Sequence, residues 1–214
     1  MTEVIGTLLF SLALILTGDQ LLNQARSWLQ STVVTTPAVI RGWGPLLLFW
    51  LLMGHALIIA GWLHILPLQE VFRGLLLGGW CLMLMALDLT GFWMPLNFTA
   101  PAGFSGLLYS LLILPERTPP ILLAEAAGTF CCLYLLRTLS GRRRESLGMG
   151  DVCLISVLVL WYPLFQVICV LIPATLFTLL TGVLLRRRRL PFGLFLCPAA
   201  SLLPFLPVLM QALI

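Results

Sequence analysis

The chain has 214 residues, of which 60% are hydrophobic and only 9% are charged, and its mean hydropathy is +1.07. A soluble domain of this length could not bury so much apolar surface, and the apolar stretches are too long for the alternating strands of a β-barrel. The formal net charge of +4 comes from twelve arginines without any lysine, set against eight acidic residues. We interpret the arginine clusters as topology signals rather than as a nucleic-acid surface, and we predict an all-α, polytopic membrane bundle.

Eight apolar segments follow one another along the chain. A helix needs roughly 20 residues to cross the hydrocarbon core, and on this basis we predict spans near 4–24, 45–66, 70–88, 101–115, 119–137, 151–163, 164–185 and 193–213. Glu3 precedes the first segment in place of a basic stretch, so we expect a retained helix rather than a cleaved signal peptide. Pro163 separates the sixth segment from the seventh, because proline breaks a helix. We expect residues 1–214 to form one integral membrane domain.

The arginines predict an orientation for this bundle. With the N-terminus outside, ten of the twelve fall in inside segments, as the positive-inside rule requires, namely Arg26, Arg41, Arg137, Arg142, Arg143, Arg144, Arg186, Arg187, Arg188 and Arg189. Arg73 and Arg117 remain outside, each near a glutamate. The same orientation places Asp88, at the end of the third span, and Asp151, at the start of the sixth, at the cytoplasmic boundary.

The remaining ionisable groups and thiols suggest no metal site. We expect Asp19, in the first span, to neutralise a nearby arginine. His55 and His64 lie nine residues apart, off a single helical face, and we interpret them as satisfied interior histidines. The six cysteines form no CxxC pair and lie in apolar segments, so we expect buried free thiols rather than a zinc site or a disulfide framework. The sequence therefore predicts neither a metal nor a cofactor.

Asp88 and Asp151 are the strongest candidates for chemistry. Asp151 follows Gly148, Met149 and Gly150; it suits the first turn of a helix, and glycines beside it would let a substrate backbone approach. Asp88 is placed near the C-terminus of its helix, where the dipole disfavours negative charge, so a purely structural role explains it less well. Two carboxyl groups at one depth can share a proton, so that one activates water while the other polarises a carbonyl.

Three ordered elements give the chain a resemblance to the type IV prepilin peptidases, which are membrane aspartic proteases of the GxGD group. Asp88 is followed by Pro95, Thr99 and Pro101, the GxGD element ends at Asp151, and a later PFGxF element contains Pro191, Phe192, Gly193 and Phe195. The resemblance covers roughly positions 70 to 200. It implies catalysis by Asp88 and Asp151, with Gly148, Gly150, Pro95, Pro191, Phe192 and Gly193 supporting substrate approach or the motifs.

The resemblance also implies a substrate and a location. The substrate would be a prepilin or pseudopilin, whose short basic leader is removed at the cytoplasmic face of the bacterial inner membrane without a cofactor. Three positions depart from the family's pattern, which has Asp or Asn at Leu96, lysine at Cys153 and a second proline at Leu194. The segment between the first two spans lacks the two CxxC pairs of bifunctional members, so the zinc module, and with it N-methyltransferase activity, is not expected.

Other classes of protein remain as alternatives at this stage. A transporter or channel could bind cations through the two aspartates, although such sites lie near the bilayer midplane and these residues are predicted at its boundary. A GxGD protease could instead process another membrane substrate, such as a preflagellin-like protein. A paralogue that folds but cleaves poorly would also account for Leu96 and Cys153.

Overall fold

The computed structural model describes residues 2–32, 43–91, 94–113, 117–140, 148–186 and 190–212. The regular elements of these residues are helical, in the order α1 (Thr2–Thr32), α2 (Gly44–Trp62), α3 (Leu68–Gly91), α4 (Leu96–Leu112), α5 (Pro119–Ser140), α6 (Met149–Trp161), α7 (Leu164–Leu185), α8 (Gly193–Ala200), a 3₁₀ turn (Leu203–Phe205) and α9 (Leu206–Ala212). This confirms the all-α, multi-pass architecture.

The eight predicted segments coincide with helices, but fewer of them have the length of a full span. Within the described residues, six segments are long and apolar enough to cross a membrane, namely Leu8–Ser31, Gly44–Trp62, Leu68–Thr90, Pro119–Leu139, Leu164–Leu185 and Gly193–Ala212. The fourth and sixth predicted spans correspond to α4, with 17 residues, and α6, with 13. Pro163 follows the end of α6 and stops it from continuing, as its position in the sequence suggested.

Helix α3 forms the centre of the bundle. Each residue from 81 to 88 is buried, because this leucine- and methionine-rich stretch contacts other helices on several sides. Helices α1, α2, α4 and α8 pack against α3, while α6 packs chiefly against α4 and α5. Asp88 is therefore fixed on the most enclosed helix of the molecule.

A close helix contact holds α6 against α4. A Cβ atom on Gly106 of α4 would lie 2.6 Å from the Trp161 ring, so only glycine permits this approach. The Trp161 indole Nε1–H donates a hydrogen bond of 3.0 Å to the Ala102 carbonyl, and the Trp161 side chain is fully buried. The contact fixes the far end of the helix that begins with Asp151.

Several expectations about individual residues are resolved by the fold. His55 is satisfied, with hydrogen-bond contacts to Ser11 Oγ at 2.8 Å and to the Leu51 carbonyl at 2.7 Å, whereas His64 is exposed in the turn after α2. Asp19 accepts a hydrogen bond from Asn23 at 2.9 Å, rather than from an arginine of the described residues.

The cysteines are all free, as predicted, but they are not all buried. Cys131 and Cys132 are exposed because they lie on a face of α5 that packs against no other helix. Apolar composition alone cannot separate this outward face from the interior of a membrane bundle.

Candidate active site

A cavity of about 340 Å³ lies where the end of α3 meets the beginnings of α4 and α6. Asp88 and Asp151 both line it, so the structure brings the two candidate carboxylates together. Of the other predicted site residues, four line the same cavity, namely Gly148, Gly150, Pro191 and Phe192. The remaining wall consists of Met94, Leu96, Met149, Cys153 and Leu190.

Asp88 is buried, and its Oδ2 accepts a hydrogen bond of 2.8 Å from the Gly193 backbone N–H. Gly193 is the first residue of α8, and the N-terminus of a helix favours a negative charge. The sequence argument considered only the unfavourable end of α3. The neighbouring α8 supplies the compensating donor, which explains how a carboxylate is tolerated at this point.

Gly193 is required sterically as well as for its N–H group. A Cβ atom there would overlap the Met94 methyl group and lie 2.9 Å from Asp88 Oδ2. Gly193 does not line the cavity as its two neighbours in the PFG element do, but it lies directly behind Asp88. The third predicted element therefore acts by holding a catalytic candidate in place.

Asp151 lies in the first turn of α6, and its Oδ2 accepts a hydrogen bond of 3.2 Å from the Gly148 N–H. The predicted helix-start role is thus present, and it coexists with a position on the cavity wall. The charges of Asp88 and Asp151 are close enough to interact. Such a pair suits proton sharing, because repulsion opposes the ionisation of both groups at close range.

The glycines of GxGD have a steric use within the fold itself, beside the substrate approach that was predicted for them. A Cβ atom on Gly150 would lie 2.8 Å from Met94 Cβ and 3.3 Å from the Met94 backbone nitrogen, and one on Gly148 would lie 2.9 Å from Asp151 Oδ2. Both positions are filled by the protein's own atoms, and neither glycine has a positive φ. Gly150 lets the start of α6 approach the segment that precedes α4.

Pro95 supports the site from outside the cavity. It is the residue immediately before α4, with φ −71° and ψ 140°, and its carbonyl accepts the backbone N–H groups of Phe98 at 3.0 Å and Thr99 at 3.3 Å. It thereby fixes the start of α4, where Leu96 lines the cavity. The predicted Pro95 and Thr99 thus shape the site through the helix rather than by direct contact.

The three departures from the family's pattern differ in their surroundings. Leu96, which is 63% exposed, and Cys153, which is half-buried, both line the cavity. Leu194 packs against the hydrophobic core instead. Only the first two departures therefore change the wall beside the carboxylates.

Sequence reasoning missed Met94 and Leu190 among the residues of this wall. Both are ordinary apolar side chains without a functional signature, and only their neighbours Pro95 and Pro191 marked the two segments. Among the residues that the structure describes, no group of three or more His, Cys, Asp or Glu side chains is placed to hold a metal ion. The acidic side chains of the cavity wall are the carboxyl groups of Asp88 and Asp151, and the Cys153 thiol lies on the same wall.

The fold and the cavity define a multi-pass helical membrane protein with two aspartates from different helices at one site. The chain belongs to the type IV leader peptidase family, whose model matches residues 75–183, a range that contains both Asp88 and Asp151. The resemblance found in the sequence is thereby confirmed.

A curated relative extends this result. The chain is 30% identical over 146 residues to a protein of Escherichia coli O78:H11 (strain H10407 / ETEC) described as a type 4 prepilin-like proteins leader peptide-processing enzyme. The match covers 65% of this chain and 52% of the relative, so the chain spans about half the length of that protein. No solved structure matches the chain significantly.

Proposed function

We propose that the protein is a membrane aspartic endopeptidase that removes the short basic leader of type IV prepilins or pseudopilins. The observation that carries this proposal is the position of Asp88 and Asp151, which come from two separate helices and line one cavity. Membership of the leader peptidase family supports the same activity. The name of the Escherichia coli relative supports the class of substrate.

The two carboxyl groups account for peptide hydrolysis without a further reactant except water. The ionised aspartate takes a proton from water as the water oxygen attacks the scissile carbonyl, while the protonated aspartate donates a hydrogen bond and then its proton to the carbonyl oxygen. As the tetrahedral gem-diol collapses, the C–N bond breaks, the first aspartate gives the leaving nitrogen the proton gained from water, and the second aspartate takes a proton back from a gem-diol hydroxyl as the new carboxyl group forms. One shared proton is thus available again after each turnover.

The position of the cavity suits a substrate that changes from a leader to an apolar helix at the membrane boundary. The cavity lies at the ends of the helices, and the scissile segment must be extended there, since the hydrogen-bonded carbonyls of a helix resist attack. Leu96 is well exposed and lines the cavity, offering an apolar contact to such a segment. The cavity is therefore matched to a junction rather than to the middle of a transmembrane helix.

We place this cavity at the cytoplasmic face of the bacterial inner membrane. Arg137, one of the predicted inside arginines, belongs to the last turn of α5 and lies near Cys153 of the cavity wall. Arg73 and Arg117, the two predicted outside arginines, contact the opposite end of α6. The predicted inside and outside arginines thus lie at opposite ends of α6, with the inside arginine at the cavity end. By the positive-inside rule, this distribution supports a cavity that faces the cytoplasm.

Substitution of each aspartate by asparagine tests the proposal. Asp88→Asn and Asp151→Asn nearly preserve side-chain shape but cannot exchange the catalytic proton, so each variant should accumulate in the membrane and fail to remove a prepilin leader. Asp19→Asn is the matched control, because Asp19 is exposed on α1 and, among the residues that the structure describes, bonds only to Asn23. The measurement is the shift from precursor to mature pilin on a gel. Normal cleavage by either dyad variant would disprove the proposed chemistry.

A further inference from the structure

The end of α6 that lies far from Asp151 presents a problem for a membrane protein. Thirteen residues of α-helix extend for about 20 Å, whereas the hydrocarbon core is about 30 Å thick. The last four carbonyls of a helix have no partner within it, and water is not available to them in apolar surroundings. Helix α6 therefore needs donors from elsewhere in the bundle.

The structure supplies one donor for each of these four carbonyls. The donor–acceptor pairs are Tyr162 N–H to Leu158 O at 2.9 Å, Arg117 Nη1 to Val159 O at 2.9 Å, Ser110 Oγ to Leu160 O at 2.7 Å, and Arg73 Nη2 to Trp161 O. Pro163 has no N–H to offer Val159 O, and Arg117 takes that place. Three of the four donors are thus side chains from other parts of the chain, and only the Tyr162 N–H group belongs to the turn that follows α6.

Arg73 is held in a defined geometry by a second set of contacts. Its side chain is 3% exposed, and its Nη1 lies 2.8 Å from Glu70 Oε1. The guanidinium carbon lies 4.0 Å from the centre of the Tyr162 ring, and the Tyr162 hydroxyl donates to Glu70 Oε2 at 3.2 Å. A charge this deeply buried is tolerated because its partners neutralise and orient it.

The contact of Arg73 joins the two helices that carry the aspartates. Arg73 and Asp88 both belong to α3, and Trp161 and Asp151 both belong to α6. The helical segments from the contact to the two carboxylates are about 22 Å and about 15 Å long at 1.5 Å per residue. Because helices are stiff, a movement of α6 along α3 at the Arg73 end would displace Asp151 relative to Asp88.

We propose that Arg73, oriented by Glu70, is a positioning residue that sets the register of α6 against α3 and thereby the separation of the two catalytic carboxyl groups. The inference rests on the proposed function of Asp88 and Asp151. Arg73 does not line the cavity, so it acts through the helices. Arg117 serves as an internal comparison, because it caps the same helix end but pairs with Glu125 of α5, at 2.7 Å, instead of with α3.

Crosslinking tests the register without any need for cleavage. The six native cysteines are first replaced, and new cysteines are then placed at the two aspartate positions (Asp88→Cys with Asp151→Cys). The measurement is the fraction of protein in which a short bismaleimide crosslinks these two cysteines. The double variant Arg73→Met with Glu70→Gln removes both charges of the ion pair, so that neither charge is left buried without its partner. It should lower the crosslinking yield at least about two-fold, because a displacement of about 1 Å is sufficient to disturb the geometry of two facing side chains. Arg117→Met with Glu125→Gln should leave the yield unchanged.

Kinetics on the chain with its native aspartates provide the second measurement. The Arg73→Met and Glu70→Gln variant should lose about 10- to 100-fold in kcat with little change in KM for prepilin, because misalignment affects the reaction more than binding. Its pH profile of kcat should also change, since the separation of two carboxyl groups governs their coupled titration. Arg73→Lys, which keeps the charge but not the flat two-pronged guanidinium, should retain part of the activity.

The possible results separate this inference from the proposed function. An unchanged crosslinking yield in the Arg73 variant, or an equal fall in the Arg117 control, would overturn the positioning role. If the unmodified protein cleaved no prepilin, the proposed function would fail, and the crosslinking yields would still decide whether Arg73 sets the register. Recovery of the folded protein is checked for every variant by gel filtration in detergent.

Discussion

The two ends of α6 are built in opposite ways. At its beginning, Gly148, Gly150 and Asp151 line an open cavity, and the Asp151 carboxylate remains half-buried beside it. At its end, each of the last four carbonyls has a donor, and the aromatic side chains of Trp161 and Tyr162 are fully buried. One short helix thus joins an accessible, polar site to a closed anchor in which every terminal carbonyl of the helix has a donor.

This difference teaches how a bundle of helices can hold two carboxyl groups beside an open cavity. The roles proposed for Asp88 and Asp151 require that substrate and water reach both carboxyl groups from the cavity, so each group has to be held from the side that faces away from the cavity. For Asp88 the support is the Gly193 N–H group, and for Asp151 it is the remote end of its own helix. Changes at the open end should therefore affect activity. At the closed end we expect this only of Arg73, which sets the register of α6, whereas loss of the Ser110 donor should affect stability.

The largest effect among further variants is expected at the open end, from Gly193→Ala. The added methyl group would press on Asp88 Oδ2 and on Met94, so the carboxylate must move, and cleavage should fall by about 10- to 100-fold. Gly128→Ala on α5 is the matched control, because a Cβ atom there meets nothing within 4 Å. Rates of prepilin cleavage at equal protein amounts provide the measurement, and equal rates for the two variants would refute the role given to Gly193.

A smaller loss of cleavage activity, seen only after treatment with a thiol reagent, is expected from chemical modification of the cavity wall. Cys153 lines the cavity, so a small maleimide should attach there and obstruct the substrate, with substantial loss of cleavage. Cys153→Ala should protect the enzyme from the reagent. Cys132→Ala should not, because Cys132 is exposed on α5 away from the cavity. Inactivation that persists in the Cys153→Ala protein would show that the cavity is not the sensitive site.

The smallest effect on activity is expected at the closed end, from Ser110→Ala. This variant leaves Leu160 O without its donor, which should cost roughly 1–3 kcal/mol of stability for a buried group, with little change in cleavage. Ser105→Ala is the control, since the bonds of the Ser105 hydroxyl within the described part of the chain are to carbonyls of its own helix, Pro101 O and Ala102 O. Thermal unfolding in detergent should give a lower midpoint for Ser110→Ala than for Ser105→Ala. A large loss of activity at an unchanged midpoint would contradict the division between the two ends.

Much of the fold was predictable because lipid imposes a strong rule on sequence. The long apolar stretches identified the helices, and Pro163 identified the break between α6 and α7. The number of full spans was less accurate, since the fourth and sixth apolar segments were counted as spans although they form helices of only 17 and 13 residues. Burial was also only partly predictable, as Cys131 and Cys132 illustrate.

The site was predictable where a charged side chain interrupts an apolar segment, as at Asp88 and Asp151. The role of Met94 was not, because a methionine before a proline has no functional signature. Arg73 was interpreted as a charge outside the membrane, since the positive-inside rule counts arginines without regard to their partners. Its hydrogen bond to Trp161 depends on tertiary structure, which a local sequence pattern does not reveal.

The side chains that donate hydrogen bonds to the end of α6 are synthesised before α6 itself. Arg73, Ser110 and Arg117 all precede Val159 in the chain, so the ribosome has already produced every side chain that anchors α6 when that helix emerges. Gly193, which holds Asp88, is made later, and domains and segments assemble progressively during translation. The carboxylate pair can therefore reach its final arrangement only after α8 has been made, and a nascent chain that ends before this point carries both aspartates without the Gly193 N–H group that holds Asp88.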